Sequence, residues 1–246
     1  MLKTRLELGR KDVHVWVTVL GPSDVSTEKY LSTLTSEEKE RVQKFKFARD
    51  RQRYVFGKGL LRELLSLYLA VPAEKIQFED GARGKPRMAK TREQLQDIRF
   101  NVSDAGDGFA CAIAIGREVG VDIESVDEVK DREKIAEQFF TPGEATAISK
   151  LRPASRNLGF LRCWTRKEAY AKAKGEGLYL NLRGFEVFES LEKEPTLRVE
   201  GDPIETSRWT LVDLEMPDGY VGALAVEGQD VRVECRRWMD SSLPGL

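Results

Sequence analysis

The sequence predicts an α+β fold built as two halves, and three observations carry that prediction. Short β-branched runs alternate with amphipathic stretches of helical period along the whole chain. Each part of the chain runs helices and then strands, with the division near Gly116 to Val119, so the halves are 1–116 and 117–246. No Pro- or Gly-rich linker separates them, so they should pack tightly. The 246 residues suffice for one large domain or two of about 100–130 residues. No repeat is visible residue by residue, so duplication is suggested by the order of elements alone.

VHVWVTVL (13–20) is apolar and β-branched, a core strand. His14, the single histidine, sits on it, and no Ser or Cys motif partners it. A strand histidine at a sheet edge therefore outweighs a triad member. The stretch 34–47 opens with Thr35 or Ser36 followed by Glu37 and Glu38, a helix-start signal. A second helix over 50–70 carries Arg51, Arg53, Lys58 and Arg62 on a leucine-rich body, and Val71-Pro72 ends it. Such charges usually form a solvated face, but the basic groups of 45–58 also suit an anion site. Residues 75–79 read as a strand, and DGARGKPRM (80–88) as a turn-rich loop from which Gly84-Lys85-Pro86 presents a lysine. The strands 100–103 and 109–115 form a hairpin around the turn 104–108.

GVDIE (120–124) is a short apolar strand whose Asp122 and Glu124, two apart, point to one side. Residues 131–140 are amphipathic, and Thr141-Pro142 restart a helix with Glu144 as a first-turn acid complementing the dipole. FLRCWTRKEAYAKAKGEGL (160–178) reads as one amphipathic helix closed by Gly175 and Gly177. Glu168 and Lys172 are four apart and share a face of it. Short antiparallel strands with turns between them over 185–188, 197–199, 209–212, 220–226 and 231–235 follow, and the tail from Met239 should be loose. If the long helix packs on the GVDIE strand, three carboxylates and a lysine converge. That cluster suits a hard divalent cation and a polyphosphate.

The net charge of −1, from 40 basic and 41 acidic residues, sets up no global field for nucleic acid or a membrane. Cys111, Cys163 and Cys235 are odd in number and widely spaced, without a metal-ligand pattern, and read as free thiols in a reducing cytosol. With no signal-like apolar run and no membrane-length stretch, a cytoplasmic location is expected.

FNVSDAGDGFACAIA (100–114), GVDIE (120–124), QFFTPGEA (138–145) and CWTRKEAYAKAKGEGL (163–178) resemble, in order and spacing, the motifs of the Sfp-like 4′-phosphopantetheinyl transferases. The resemblance covers 13–227. It implies two similar α/β halves related by a pseudo-twofold axis, with the active site in the cleft between them. The half 117–246 would carry the metal-binding motifs. It implies Mg-dependent transfer of the phosphopantetheine arm of coenzyme A to a serine of an apo acyl or peptidyl carrier protein, releasing adenosine 3′,5′-bisphosphate. Asp122, Glu124 and Glu168 would hold Mg²⁺, with Glu168 and Lys172 as catalytic residues. Arg53, Lys85, Ser103, Asp104, Lys167 and Lys172 would contact coenzyme A. The expected partners are coenzyme A and the carrier protein, not nucleic acid or membrane, and two halves in one chain imply a monomer.

One position departs from the pattern. Ser103-Asp104 stands where the family usually has Ser-His, and a carboxylate there would repel the 3′-phosphate of coenzyme A. Two other readings use the same residues: a carrier-protein-binding module weakened in catalysis by Asp104, and a Mg-dependent nucleotide hydrolase.

Overall fold

Two sheets packed face to face, each with helices over its outer face, make up the computed structural model, which describes residues 5–21, 27–81, 84–89, 97–127 and 129–238. Ala82 and Arg83 of the expected loop, and the tail from Met239, lie outside the described residues. Strand β1 (Asp12–Val19) runs antiparallel to β5 (Gly108–Ile115), which pairs with β4 (Ile98–Ala105) in the predicted hairpin. On its other side β1 takes the parallel strand β11 (Arg232–Arg237), giving the order β11-β1-β5-β4. The second sheet is antiparallel, β6 (Val119–Ser125), β10 (Tyr220–Glu227) and β9 (Trp209–Asp213). Two short pairs, β2 (Phe78–Asp80) with β3 (Pro86–Met88) and β7 (Phe185–Glu186) with β8 (Arg198–Val199), complete the strands.

Strand periodicity divides the core into layers. Val13, Val15 and Val17 of β1 and Ala110, Ala112 and Ala114 of β5 face Val121 and Ile123 of β6 and Leu224 of β10 in one buried cluster. The alternate residues Trp16, Phe109, Cys111 and Ile113 pack under α1 (Thr27–Thr33), α2 (Ser36–Lys44) and α3 (Ala48–Leu69). In the second half Leu211, Ala223 and Ala225 pack under α6 (Pro153–Lys174), beside α4 (Arg132–Phe139) and α5 (Pro142–Ser149); α7 (Pro203–Arg208) precedes β9. Each half thus places one 22-residue helix on its sheet.

Three expectations change. Helix α6 starts at Pro153, which suits a first helical turn, and stops at Lys174 because Gly175 takes the left-handed conformation at φ 69°. His14 is not at a sheet edge, because β11 covers β1 on the outside and the ring is buried. Its Nδ1 lies 2.8 Å from the Tyr68 hydroxyl, which also accepts the Trp16 indole N–H, so His14 is part of a core hydrogen-bond network. The returning strand β11, expected to be antiparallel, runs parallel to β1 and reaches across the division at 116/117, and Trp238 after it packs edge-on against Trp16 at 5.8 Å. Cys111 and Cys163 are buried free thiols and Cys235 is exposed. Among the described residues no helix is long and apolar enough to cross a membrane.

Candidate active site

The two sheets meet along β4 and β6, which lie side by side without a backbone ladder. Side chains of β4 satisfy the backbone of β6 instead. Asn101 Oδ1 accepts the Val121 N–H at 2.9 Å, and Ser103 Oγ accepts the Ile123 N–H at 3.4 Å. Alternation along β6 sends Gly120, Asp122 and Glu124 to the opposite face from Val121 and Ile123, the face covered by α6. Gly120 lets the helix lie directly on the strand: a Cβ there would sit 2.1 Å from the Ala169 carbonyl oxygen and 2.3 Å from the Ala173 nitrogen.

On α6, Trp164, Glu168 and Lys172 recur every four residues as a half-buried stripe. The Trp164 indole donates to Glu124 Oε1 at 3.2 Å. Lys172 Nζ donates to Asp122 Oδ1 at 2.6 Å and to Ser103 Oγ at 2.9 Å, and Ser103 Oγ itself lies 2.9 Å from Asp122 Oδ1. Asp122 Oδ2 is buried and has no hydrogen-bond partner among the described residues. Burial pushes the Asp122 carboxyl above its usual range, against the pull of Lys172 and Ser103. Burial also raises Glu124 and Glu168, and the charge of Asp122 raises each further. Three acids that resist ionising together, with one ammonium among them, form a site short of positive charge.

Among the described residues no three such side chains are already gathered around a single ion position. The donors nevertheless fit a hard divalent cation. They are all oxygens, Asp122 Oδ2 is an unsatisfied buried ligand, and magnesium needs only one or two carboxylates beside water and phosphate oxygens.

The other face of β4 looks onto a cavity of 420 Å³ lined by Arg53, Tyr54 and Lys58 of α3 with Phe45, Pro86 and Asp104. Phe45 leans on Tyr54 at 5.1 Å, and the charges of Arg41 and Lys58 lie 5.5 and 5.9 Å from the Tyr54 ring centre. Arg53 Nε donates to Asp107 Oδ1 at 2.8 Å, while Arg49 Nη2 lies 2.8 Å from Asp107 Oδ2. Hydrogen bonds from Arg49, then Arg53, hold the Asp107 carboxyl below the usual range. Ser103 and Asp104 are neighbours on opposite faces of β4, so the carboxylate cluster and the cavity share one strand.

The structure thus brings Asp122, Glu124, Glu168, Lys172 and Ser103 together, and places Arg53 and Asp104 on the cavity wall. Ser103, expected as a coenzyme A contact, is buried and hydrogen-bonded to Asp122 and Lys172. Lys85 is not an exposed loop cation. Its Nζ donates to Glu118 Oε2 and the Val119 carbonyl, both at 2.9 Å, and to the Ala173 carbonyl at 3.2 Å, tying the turn to β6 and the end of α6. Lys167 is no phosphate contact either. It is fully buried on the far side of α6, paired with Glu144 at 2.8 Å and donating to the Leu182 and Phe185 carbonyls. Glu144 is correspondingly more than a first-turn acid: it closes a capping box with Thr141 and accepts the Val187 N–H. Lys58, one of the basic groups of 45–58 that suited an anion site, does line the cavity. Sequence reasoning missed Asn101, Trp164 and the Arg49–Asp107 pair as parts of the site, and of these Trp164 carried a signal, standing four residues before Glu168.

The model of the 4′-phosphopantetheinyl transferase superfamily matches residues 118–225, and that of the 4′-phosphopantetheinyl transferase N-terminal region matches 20–115. The chain is 32% identical over 223 residues to the 4′-phosphopantetheinyl transferase HetI of Nostoc sp., covering 91% of each. It is 29% identical over 239 residues to the 4′-phosphopantetheinyl transferase gsp of Aneurinibacillus migulanus, covering 93% of this chain and 95% of that one. The L-aminoadipate-semialdehyde dehydrogenase-phosphopantetheinyl transferase of Homo sapiens is 29% identical over 214 residues, with 80% of this chain and 68% of that one covered.

Proposed function

The chain belongs to the 4′-phosphopantetheinyl transferase superfamily and is a transferase of that type, and from that premise we propose that it moves the phosphopantetheine arm of coenzyme A onto a serine of an apo acyl or peptidyl carrier protein in a magnesium-dependent reaction. The convergence of Asp122, Glu124, Glu168 and Lys172 on the β4–β6 seam is the observation that carries this reading. The carrier serine oxygen attacks the β-phosphorus of the donor. The bond from that phosphorus to the bridging oxygen breaks, and adenosine 3′,5′-bisphosphate leaves with the electron pair.

Magnesium held by Asp122, Glu124 and Glu168 would offset the charge that develops on the leaving phosphate. Lys172 donates to a phosphate oxygen from the same side. Glu168, whose carboxylate is made more basic by burial and by the charge of Asp122, is suited to accept the serine proton. Ser103 and Trp164 act through others, fixing the carboxyl groups of Asp122 and Glu124. The cavity beneath Phe45 and Tyr54 seats the nucleotide end, with Lys58 and Arg53 facing its anionic groups and Asp104 opposing them. We take the halves 1–116 and 117–246 as the two walls of this site, in a monomer working in the cytoplasm.

The test follows the nucleotide product. Purified protein, coenzyme A and magnesium should release adenosine 3′,5′-bisphosphate only when an apo carrier protein is present, and not with chelator. Release without a carrier would make the protein a hydrolase; carrier binding without release would make it a binding module.

A further inference from the structure

The surroundings of Asp122 treat its two oxygens differently. Oδ1 receives the Lys172 ammonium at 2.6 Å and lies 2.9 Å from Ser103 Oγ, while Oδ2 has no partner among the described residues. Lys172 is therefore a resident positive charge inside the cluster that would ligate a metal. A divalent cation on Oδ2 would share one carboxyl group with that ammonium. At such separation, with the Asp122 side chain only 6% exposed, the two positive charges repel strongly. Ser103 accepts from the same ammonium at 2.9 Å and fixes it in place. The carboxylates remain undercompensated, and among the described residues none is drawn into a finished metal cage.

We infer that Lys172 couples the two ligands of the seam: it opposes a divalent cation arriving alone, and admits one when the oxygens of a diphosphate ester give its ammonium another partner. The inference rests on the reading of the seam as the donor and metal site, and adds that metal and donor bind with positive cooperativity. By linkage, the metal must raise donor affinity by the factor by which the donor raises metal affinity.

Mn²⁺ is the probe, with free ion followed by electron paramagnetic resonance in titrations of the full chain without carrier protein. Coenzyme A should tighten Mn²⁺ binding by wild type at least tenfold. Lys172→Met should bind Mn²⁺ alone at least tenfold tighter than wild type, and coenzyme A should then tighten it by a smaller factor than it tightens wild type; Lys172→Gln should match it. Asp122→Asn should lose Mn²⁺ under both conditions. Equal Mn²⁺ affinity of wild type with and without coenzyme A would overturn the inference and needs no variant. So would Lys172→Met binding Mn²⁺ no tighter than wild type. Failure of the transferase reading would look different, as a carrier left unlabelled while these metal affinities still followed Lys172.

Discussion

Glu168 and Asp122 pay in stability for their place at the seam. Both carboxyl groups are raised by burial, and a raised carboxyl contributes stability that is present at low pH and lost as pH rises through its folded value. Glu168→Gln should therefore raise the melting temperature of the ligand-free protein at neutral pH. The gain should be roughly 2–4 °C, the shift that ~1 kcal/mol produces in a chain of this size. It should be largest in mild alkali and fade on acidification; thermal melts across that pH range check it. Asp104, exposed on the cavity wall, should cost affinity for coenzyme A, so Asp104→His should lower the KM for coenzyme A several-fold with kcat unchanged. An unchanged or higher KM would remove Asp104 from the nucleotide end. At this scale the sequence was most informative about spacing. The two-residue step from Asp122 to Glu124 and the four-residue step from Glu168 to Lys172 fix faces directly. It was least informative about lysines. Lys85, Lys167 and Lys172 look alike in a string, and only packing shows that the first ties β6 to α6, the second neutralises Glu144, and the third reaches Asp122.

Strand β6 and helix α6 form the element pair on which the site depends, and their contact distance is set at Gly120. Gly120→Ala would press a methyl group into the backbone of Ala169 and Ala173, so the helix must lift from the strand. Overpacking of this kind costs about 1–3 kcal/mol. Because the lift separates Glu168 and Lys172 from Asp122, transfer should fall more than tenfold, out of proportion to the stability lost. Urea unfolding and carrier loading on the same preparation measure both, and loading at the wild-type rate would show that the spacing does not matter. Helix and strand positions were largely legible, because the apolar periods and the Thr141-Pro142 and Gly175 signals are local. The β4–β6 seam was not, because the bridging acceptors Asn101 and Ser103 are side chains from another sheet, with no period to reveal them.

At the scale of the molecule, two sheets share one small-residue core, and the chain returns to close the first of them. Strand β11 pairs parallel with β1, and Trp238 fills a site between Trp16 and Tyr30, to whose hydroxyl its indole donates at 3.3 Å. Trp238→Ala should cost ~3–5 kcal/mol, as for other buried aromatics, while carrier loading per folded molecule stays near wild type. A cost below ~1 kcal/mol in urea unfolding would mean that the returning strand is dispensable. The two-half plan was visible in the order of elements, but a parallel return joining the end of the described chain to its beginning leaves no local mark. The most direct measurement is the intact mass of a purified apo carrier protein after incubation with coenzyme A, magnesium and either wild type or folded Asp122→Ala. The carboxylate seam predicts a gain of one phosphopantetheine with wild type, none with chelator and none with the variant. An unmodified carrier with wild type across fatty-acid, polyketide and peptide carriers, or equal labelling by Asp122→Ala, would contradict it.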